Sequence, residues 1–288
     1  MALGKGERSG PEVDRGSRSS RILGGGGGGR SLAIATVSSI VFFGAIALIV
    51  VNSPGWPAVK ESFFYWPEFR ESLPDIAEAF KTNVKLFLVA EVFILVFALV
   101  LAILRGLPGP AFFPLRLIST VYTDVFRGIP TILLIYMLGF GVPALALEGV
   151  PTSEFFWGVM ALVLVYSAYV AEVYRAGIES IHPSQEAAAR SLGLSRAQAL
   201  RYVVVPQAVR RVVPPLLNDF IGLQKDTALV ALLGLVEAFR QSQIEVAGSF
   251  NFTPYLATAL LFLLLTIPLT RFTDWLIARN RRRELARA

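Results

Sequence analysis

Long apolar runs separated by short charged segments are the dominant pattern of this chain. A helix needs roughly 20 mostly apolar residues to cross a bilayer. Five runs meet or approach that length: Ser31–Val51, 84–104, 131–147, 155–176 and 254–277. A sixth segment, 212–239, is interrupted by Asn218, Asp219, Gln224, Lys225, Asp226 and Thr227. Spanning β-barrels would carry short alternating segments instead. The pattern therefore predicts an all-α, polytopic membrane protein with about six transmembrane helices.

Composition agrees with the pattern. Of the 288 residues 54% are hydrophobic and 17% charged, and the mean hydropathy is +0.59, too apolar for a domain that must clothe itself in polar surface. The net charge of +6 would suggest nucleic acid in a soluble protein, but here the arginines sort by side of the membrane. They crowd the N-terminus, the segments after alternate spans and the tail, which is the positive-inside bias. Both termini are then cytoplasmic, the chain is multi-pass, and no nucleic acid is called for. No cysteine and a single histidine, His182, exclude disulfides and cysteine nucleophiles and leave metal or triad chemistry without support.

Residues 1–30 are polar and Arg-rich, end in a glycine run, and read as a disordered basic cytoplasmic N-terminus. That run lacks the Gly-Lys-Ser/Thr ending of a phosphate-binding loop. Residues 31–53 read as an extra, uncleaved transmembrane helix; a signal peptide is the competing view, disfavoured by the length of the apolar run. Residues 54–82 form an extracytoplasmic connector, rich in interfacial aromatics, with a short amphipathic helix at 74–81. A turn at 106–114 precedes a helix at 115–127 that Gly128-Ile129-Pro130 breaks, and on it Asp124 and Arg127, three apart, are placed to neutralise one another. Glu172 and Arg175 read as a similar pair. Residues 280–288 are a basic tail.

The loop at 184–206 is long, charged and capped twice. Ser184 is placed to cap a helix whose first turn carries Gln185 and Glu186, favourable to the dipole. Ala187, Ala188, Ala189, Arg190 and Ser191 continue it with little bulk, so it suits close contact with another surface. Gly193 after Leu192 ends that helix, and Ser195 with Gln198 starts the next as a capping box. A DNA-binding helix-turn-helix has no room between the flanking spans.

This wording resembles the coupling loop of ATP-binding-cassette import permeases, a Glu-Ala-Ala triplet followed at fixed spacing by Gly and a hydrophobic-x-Leu-Pro ending. Ala188, Ala189, Gly193, Val203, Val205 and Pro206 fall at the matching positions, whereas Ala187 stands at the usual Glu position and Glu186 one residue earlier. The segments Phe126-Arg127-Gly128-Ile129-Pro130, Ser167-Ala168-Tyr169-Val170-Ala171-Glu172 and Lys225-Asp226-Thr227 resemble the polar amino-acid branch (histidine, glutamine and glutamate types) in order and spacing.

The resemblance implies a type I importer fold, with a permease core at 83–279 made of five helices plus the extra first span. It implies a permease subunit that moves a polar amino acid, with glutamate as the leaning, across a bacterial cytoplasmic membrane by alternating access. The chain itself would be no enzyme and hold no cofactor. ATP and Mg would sit in separate ATP-binding subunits gripping residues 184–193, an extracytoplasmic binding protein would deliver substrate, and a second permease chain, homologous or identical, would complete the pore within the lipid. Asn218, Asp219, Gln224, Lys225, Asp226, Thr227 and the intramembrane acid Glu91 are the candidate substrate pathway. An ion-coupled secondary transporter is the rival reading, one expected to show inverted repeats.

Overall fold

The computed structural model describes residues 28–285, and the expectations for the N-terminal 27 residues and for 286–288 lie outside it. The described chain is helical throughout. The elements are α1 (Gly28–Val51), α2 (Trp56–Phe63), α3 (Trp66–Arg105), α4 (Phe113–Gly128), α5 (Thr131–Tyr136), α6 (Val142–Ala144), α7 (Glu154–Glu179), α8 (Pro183–Ser191), α9 (Arg196–Ala199), α10 (Val205–Asp226), α11 (Ala238–Ser249) and α12 (Thr253–Leu285). The described residues up to Lys60 and those from Glu61 onward form two compact units.

Among the described residues four helices are long and apolar enough to cross a membrane alone. These are α1, the stretch containing α3, α7 and α12; the pair α4 and α5–α6, bent by 102°, makes a fifth if taken as one span. Three expectations change. The separate helix at 74–81 does not exist, because Pro74 sits inside the 40-residue α3. The run 131–147 is not an independent span: α5, a π-helical turn at Met137–Gly141 and the three residues of α6 reach spanning length only together with α4, across a bend of 102°. The segment 212–239 is not one helix either, since α10 ends at Asp226 and a 3-10 turn, Thr227–Leu233, follows until Gly234 at φ +93° stops it. Polar residues at the end of α10 break the apolar run, and the backbone changes winding where they fall.

The core of the second unit is built on α7. Leu86, Ala90, Ile94 and Ala98 of α3 face Ala161, Leu162, Val165 and Tyr166 of α7, with Leu134 and Ile135 of α5 and Leu223 of α10 completing the cluster. Small residues let the backbones approach, the usual solution where lipid offers no hydrophobic drive. A Cβ added at Gly177 would stand 2.0 Å from Val212 Cγ2, and one at Gly158 would stand 2.4 Å from Val230 Cγ1.

Polar groups fasten the same bundle. Asn83 of α3, buried, donates to Thr227 Oγ1 at 3.1 Å and to Glu237 Oε2 at 2.7 Å, and accepts from the Ala238 amide at 3.0 Å. Glu237 in turn caps α11 by accepting from the Arg240 amide at 2.7 Å.

Candidate functional site

The loop between α7 and α10 folds as two capped helical segments. The first cap differs from expectation. His182, not Ser184, is the N-cap of α8, its Nδ1 accepting the Ser184 amide at 3.2 Å, with Pro183 in the first turn where a missing N–H costs nothing. At the far end the Gly193 amide donates to the Arg190 carbonyl at 3.0 Å and the Leu194 amide to the Ala189 carbonyl at 3.3 Å. That bond pair, with Gly193 left-handed at φ +88°, is a Schellman stop. Ser195 and Gln198 then form the reciprocal capping box, at 2.9 and 3.3 Å.

The acid displaced from the resembling pattern has a structural use. Glu186 Oε1 lies 3.7 Å from Arg196 Nε, joining α8 to α9 across the glycine turn. Ala189 is buried, whereas Gln185, Ala187, Ala188 and Arg190 are exposed and Leu192 is 85% exposed. The loop therefore presents small side chains and one bare leucine on a stiffened frame. Behind it Ile181, Val204 and Ala208 form a small apolar patch, and Gln207 bonds to the Val203 carbonyl at 2.9 Å and to Gln185 at 3.4 Å. A π-helical turn, Leu200–Val204, carries α9 directly into α10, so Pro206 does not end the helix as its position suggests.

The pathway candidates separate into groups. Gln224 and Thr227 are buried in helix contacts, Gln224 Oε1 accepting from Thr266 at 2.9 Å and Thr227 donating to the Gln224 carbonyl at 2.7 Å. Asp226 accepts from the Tyr166 hydroxyl at 2.9 Å. Asn218 and Lys225 are exposed. Glu91 of α3 and Asp219 of α10 are half-buried electrostatic neighbours, and Arg127 reaches Asp219 with its field. Asp219 Oδ2 is a buried oxygen with no hydrogen-bond partner among the described residues.

Arg127 does not pair with Asp124. Its guanidinium lies 5.6 Å from the centroid of the Tyr169 ring, whose hydroxyl reaches back to the Arg127 carbonyl at 3.4 Å. The Glu172–Arg175 pair does form, and it is larger than the sequence suggests. Arg105 from the end of α3 donates to Glu172 at 3.0 Å, and Glu179 holds the other side of Arg175. Spacing along one helix reveals i,i+3 partners but not an arginine 67 positions away.

Fold and loop together define a class: a multi-pass helical membrane protein whose bent helix pair and capped loop are supported by one central helix. Residues 109–282 match the family described as binding-protein-dependent transport system inner membrane components, and the chain belongs to that family. The arginine transport system permease protein ArtQ of Bacillus subtilis (strain 168) is 32% identical over 199 residues, covering 69% of this chain and 89% of ArtQ. The glutamine transport system permease protein GlnP of Escherichia coli (strain K12) is 34% identical over 154 residues, 53% of this chain and 70% of GlnP. A crystal structure of an amino acid ABC transporter with histidines superposes with a TM-score of 0.64 at 30% identity, covering 79% of this chain and 99% of that one. The inward-facing MetNI methionine ABC transporter, at 18% identity and a TM-score of 0.53, shares the fold.

Proposed function

We propose that this chain is the permease subunit of an ATP-driven importer of polar amino acids, working by alternating access in the bacterial cytoplasmic membrane with both termini on the cytoplasmic side. The observation that carries the reading is the doubly capped loop with its exposed Leu192 and small-residue face. A surface that transmits force must not fray, and the Schellman stop, the capping box and the Glu186–Arg196 bridge each suppress fraying.

Residues 184–193 are the element that separate ATP-binding subunits grip, and those subunits hold ATP and Mg; this chain carries neither cofactor nor catalysis. An extracytoplasmic binding protein delivers the substrate, and a second permease chain completes the pore. Within the core at 83–279, Glu91, Asn218, Asp219, Gln224, Lys225, Asp226 and Thr227 belong to or flank the pathway. Glu91 and Asp219 stand nearest to that role, because an unpaired acid inside a span is costly unless a passing ligand or water meets it. Relatives named for arginine and glutamine transport support the amino-acid class. The added first span and Arg-rich N-terminus resemble glutamate-type permeases and make glutamate the first substrate to try.

The test is co-purification with the candidate ATP-binding subunit. The wild type is expected to retain it, while Gly193→Asp and a deletion of residues 184–194 insert in the membrane and lose it. Equal retention by all three would overturn the loop's role, and no retention by the wild type would overturn the importer reading.

A further inference from the structure

One face of α3 changes character along its length. Asp75, Glu78, Thr82 and Lys85 recur at three- and four-residue spacing, and the same spacing continues through Val89, Phe93, Val96 and Val100. The first four line a polar cleft of about 370 Å³ together with Val236 and Gln241. The second four line an apolar groove of about 620 Å³ whose other wall is the start of α7, from Phe156 to Val163. Apart from Thr82, which is half-buried, the whole stripe is exposed. A polar cleft followed by an apolar groove on one helix face has the outline of an amphiphile.

Length and charge narrow which one. The apolar stretch from Val89 to Val100 rises about 16 Å at 1.5 Å per residue, close to one leaflet's share of a hydrocarbon core roughly 30 Å thick. A lipid tail fits that length, and a helix crossing both leaflets would overrun it. Lys85 stands one turn beyond the apolar stretch, and the acids Glu78 and Asp75 lie further out. Lys81 holds Glu78, while none of the ion pairs among the described residues includes Lys85 or Asp75. Along the stripe the order is therefore apolar, positive, negative. A phospholipid with an amine headgroup carries the complementary order of tail, phosphate and ammonium. Phosphate at Lys85 with ammonium toward Asp75 and Glu78 satisfies both signs, whereas an anionic headgroup without an amine would leave the acids repelling it.

We propose that this face of α3 binds phosphatidylethanolamine, with a tail between α3 and α7 and the headgroup reaching from Lys85 toward Asp75. The assignment to the extracytoplasmic leaflet rests on the topology of the proposed importer; the site and its ligand do not.

The probe is phosphatidylethanolamine carrying a photoactivatable diazirine in one tail, added to membranes that hold the full chain with its ATP-binding subunit. Adducts are expected on residues 89–100 and 156–163. Phosphatidylglycerol with the same tail is expected to label these segments about fivefold less, the size of one charge's contribution at a lipid surface. Val96→Trp, which fills the groove, should remove most of the adducts, and Lys85→Glu should reduce them about fivefold. Asp75→Lys combined with Glu78→Lys should turn the preference toward phosphatidylglycerol. Equal labelling by the two lipids, or adducts spread evenly onto the exposed Leu263 and Leu264 of α12, would show ordinary annular lipid only and overturn the proposal. No adducts on either α3 or α7 would overturn it as well, and a crosslink from Val96→Cys to another chain would then give the groove to a helix. Retention of the ATP-binding subunit is scored in the same sample, so its loss from the unsubstituted chain would reject the importer reading and leave the labelling result standing.

Discussion

Asn83 and Glu237 are 154 positions apart in the chain and 2.7 Å apart in space, the amide of one donating to the carboxylate of the other with both side chains buried. The contact ties α3 to the start of α11 and makes one residue responsible for three bonds. Asn83→Leu removes the partner of Glu237 Oε2 and of the Ala238 amide and leaves Thr227 only its bond to the Gln224 carbonyl. A buried acceptor left unmet costs about 1–3 kcal/mol and a charged one more, so the loss is expected at the upper end of that range. Thermal unfolding in detergent measures it, and an unchanged Tm would show that the contact is dispensable.

Gly177 is required by contact, not by backbone freedom. Its helix is regular, but an added methyl would stand 2.0 Å from Val212 Cγ2. Gly177→Ala is expected to cost about 1–3 kcal/mol through overpacking, and Val212→Ala in the same chain should recover part of it. A double-mutant cycle gives the coupling energy; strict additivity would contradict the packing argument.

At Gly193 the requirement is the opposite one. A Cβ there would meet open space, but φ is +88°, and a β-branched residue in the left-handed region costs about 1–2 kcal/mol or more. Gly193→Val should therefore weaken retention of the ATP-binding subunit by fraying the end of α8, while Gly193→Asn should be nearly silent. Equal behaviour of the two variants would rule out the Schellman stop as the reason for a glycine at this position.

Glu172 bridges Arg105 and Arg175 at the ends of α3 and α7. All three side chains are about a quarter exposed, so the network is screened and worth about 1 kcal/mol or less per pair. Glu172→Gln is expected to lower Tm more than Arg105→Gln, because it loosens two partners, and the difference should shrink at high salt. A salt-independent difference would point to packing instead of charge.

Much of this is legible in the apolar periodicity and the local caps. Spans at 155–176 and 254–277 fall inside α7 and α12, and the Ser195–Gln198 box forms as its spacing predicts. Local chemistry is visible in sequence because its partners are three or four residues apart. Partners brought together by tertiary packing leave no such mark. Nothing near Asn83 announces Glu237, and nothing near Glu172 announces Arg105. His182 is hard to read as a cap because imidazole is an uncommon acceptor there, although the proline after it is a usable signal. The Asp124–Arg127 couple does not form for a related reason: spacing permits a bond, and a neighbouring aromatic ring competes for the arginine.

The π-helical turn at Leu200–Val204 joins the loop to α10 without a break, so about thirty residues from Arg196 to Asp226 form one continuous helical run of roughly 45 Å at 1.5 Å per residue, with Pro214 and Pro215 inside it where backbone hydrogen bonds are lost. To the extent that it moves as one piece, such a run acts as a lever. A tilt of only about 5° applied at the loop end sweeps the far end through roughly 4 Å, over a length set by the helix rise. That far end carries Asp226 and the 3-10 turn, where Tyr166 and Asn83 hold it to α7 and α3. A modest push at the loop end would thereby be converted, by arm length alone, into a displacement large enough to exchange helix contacts at the far end.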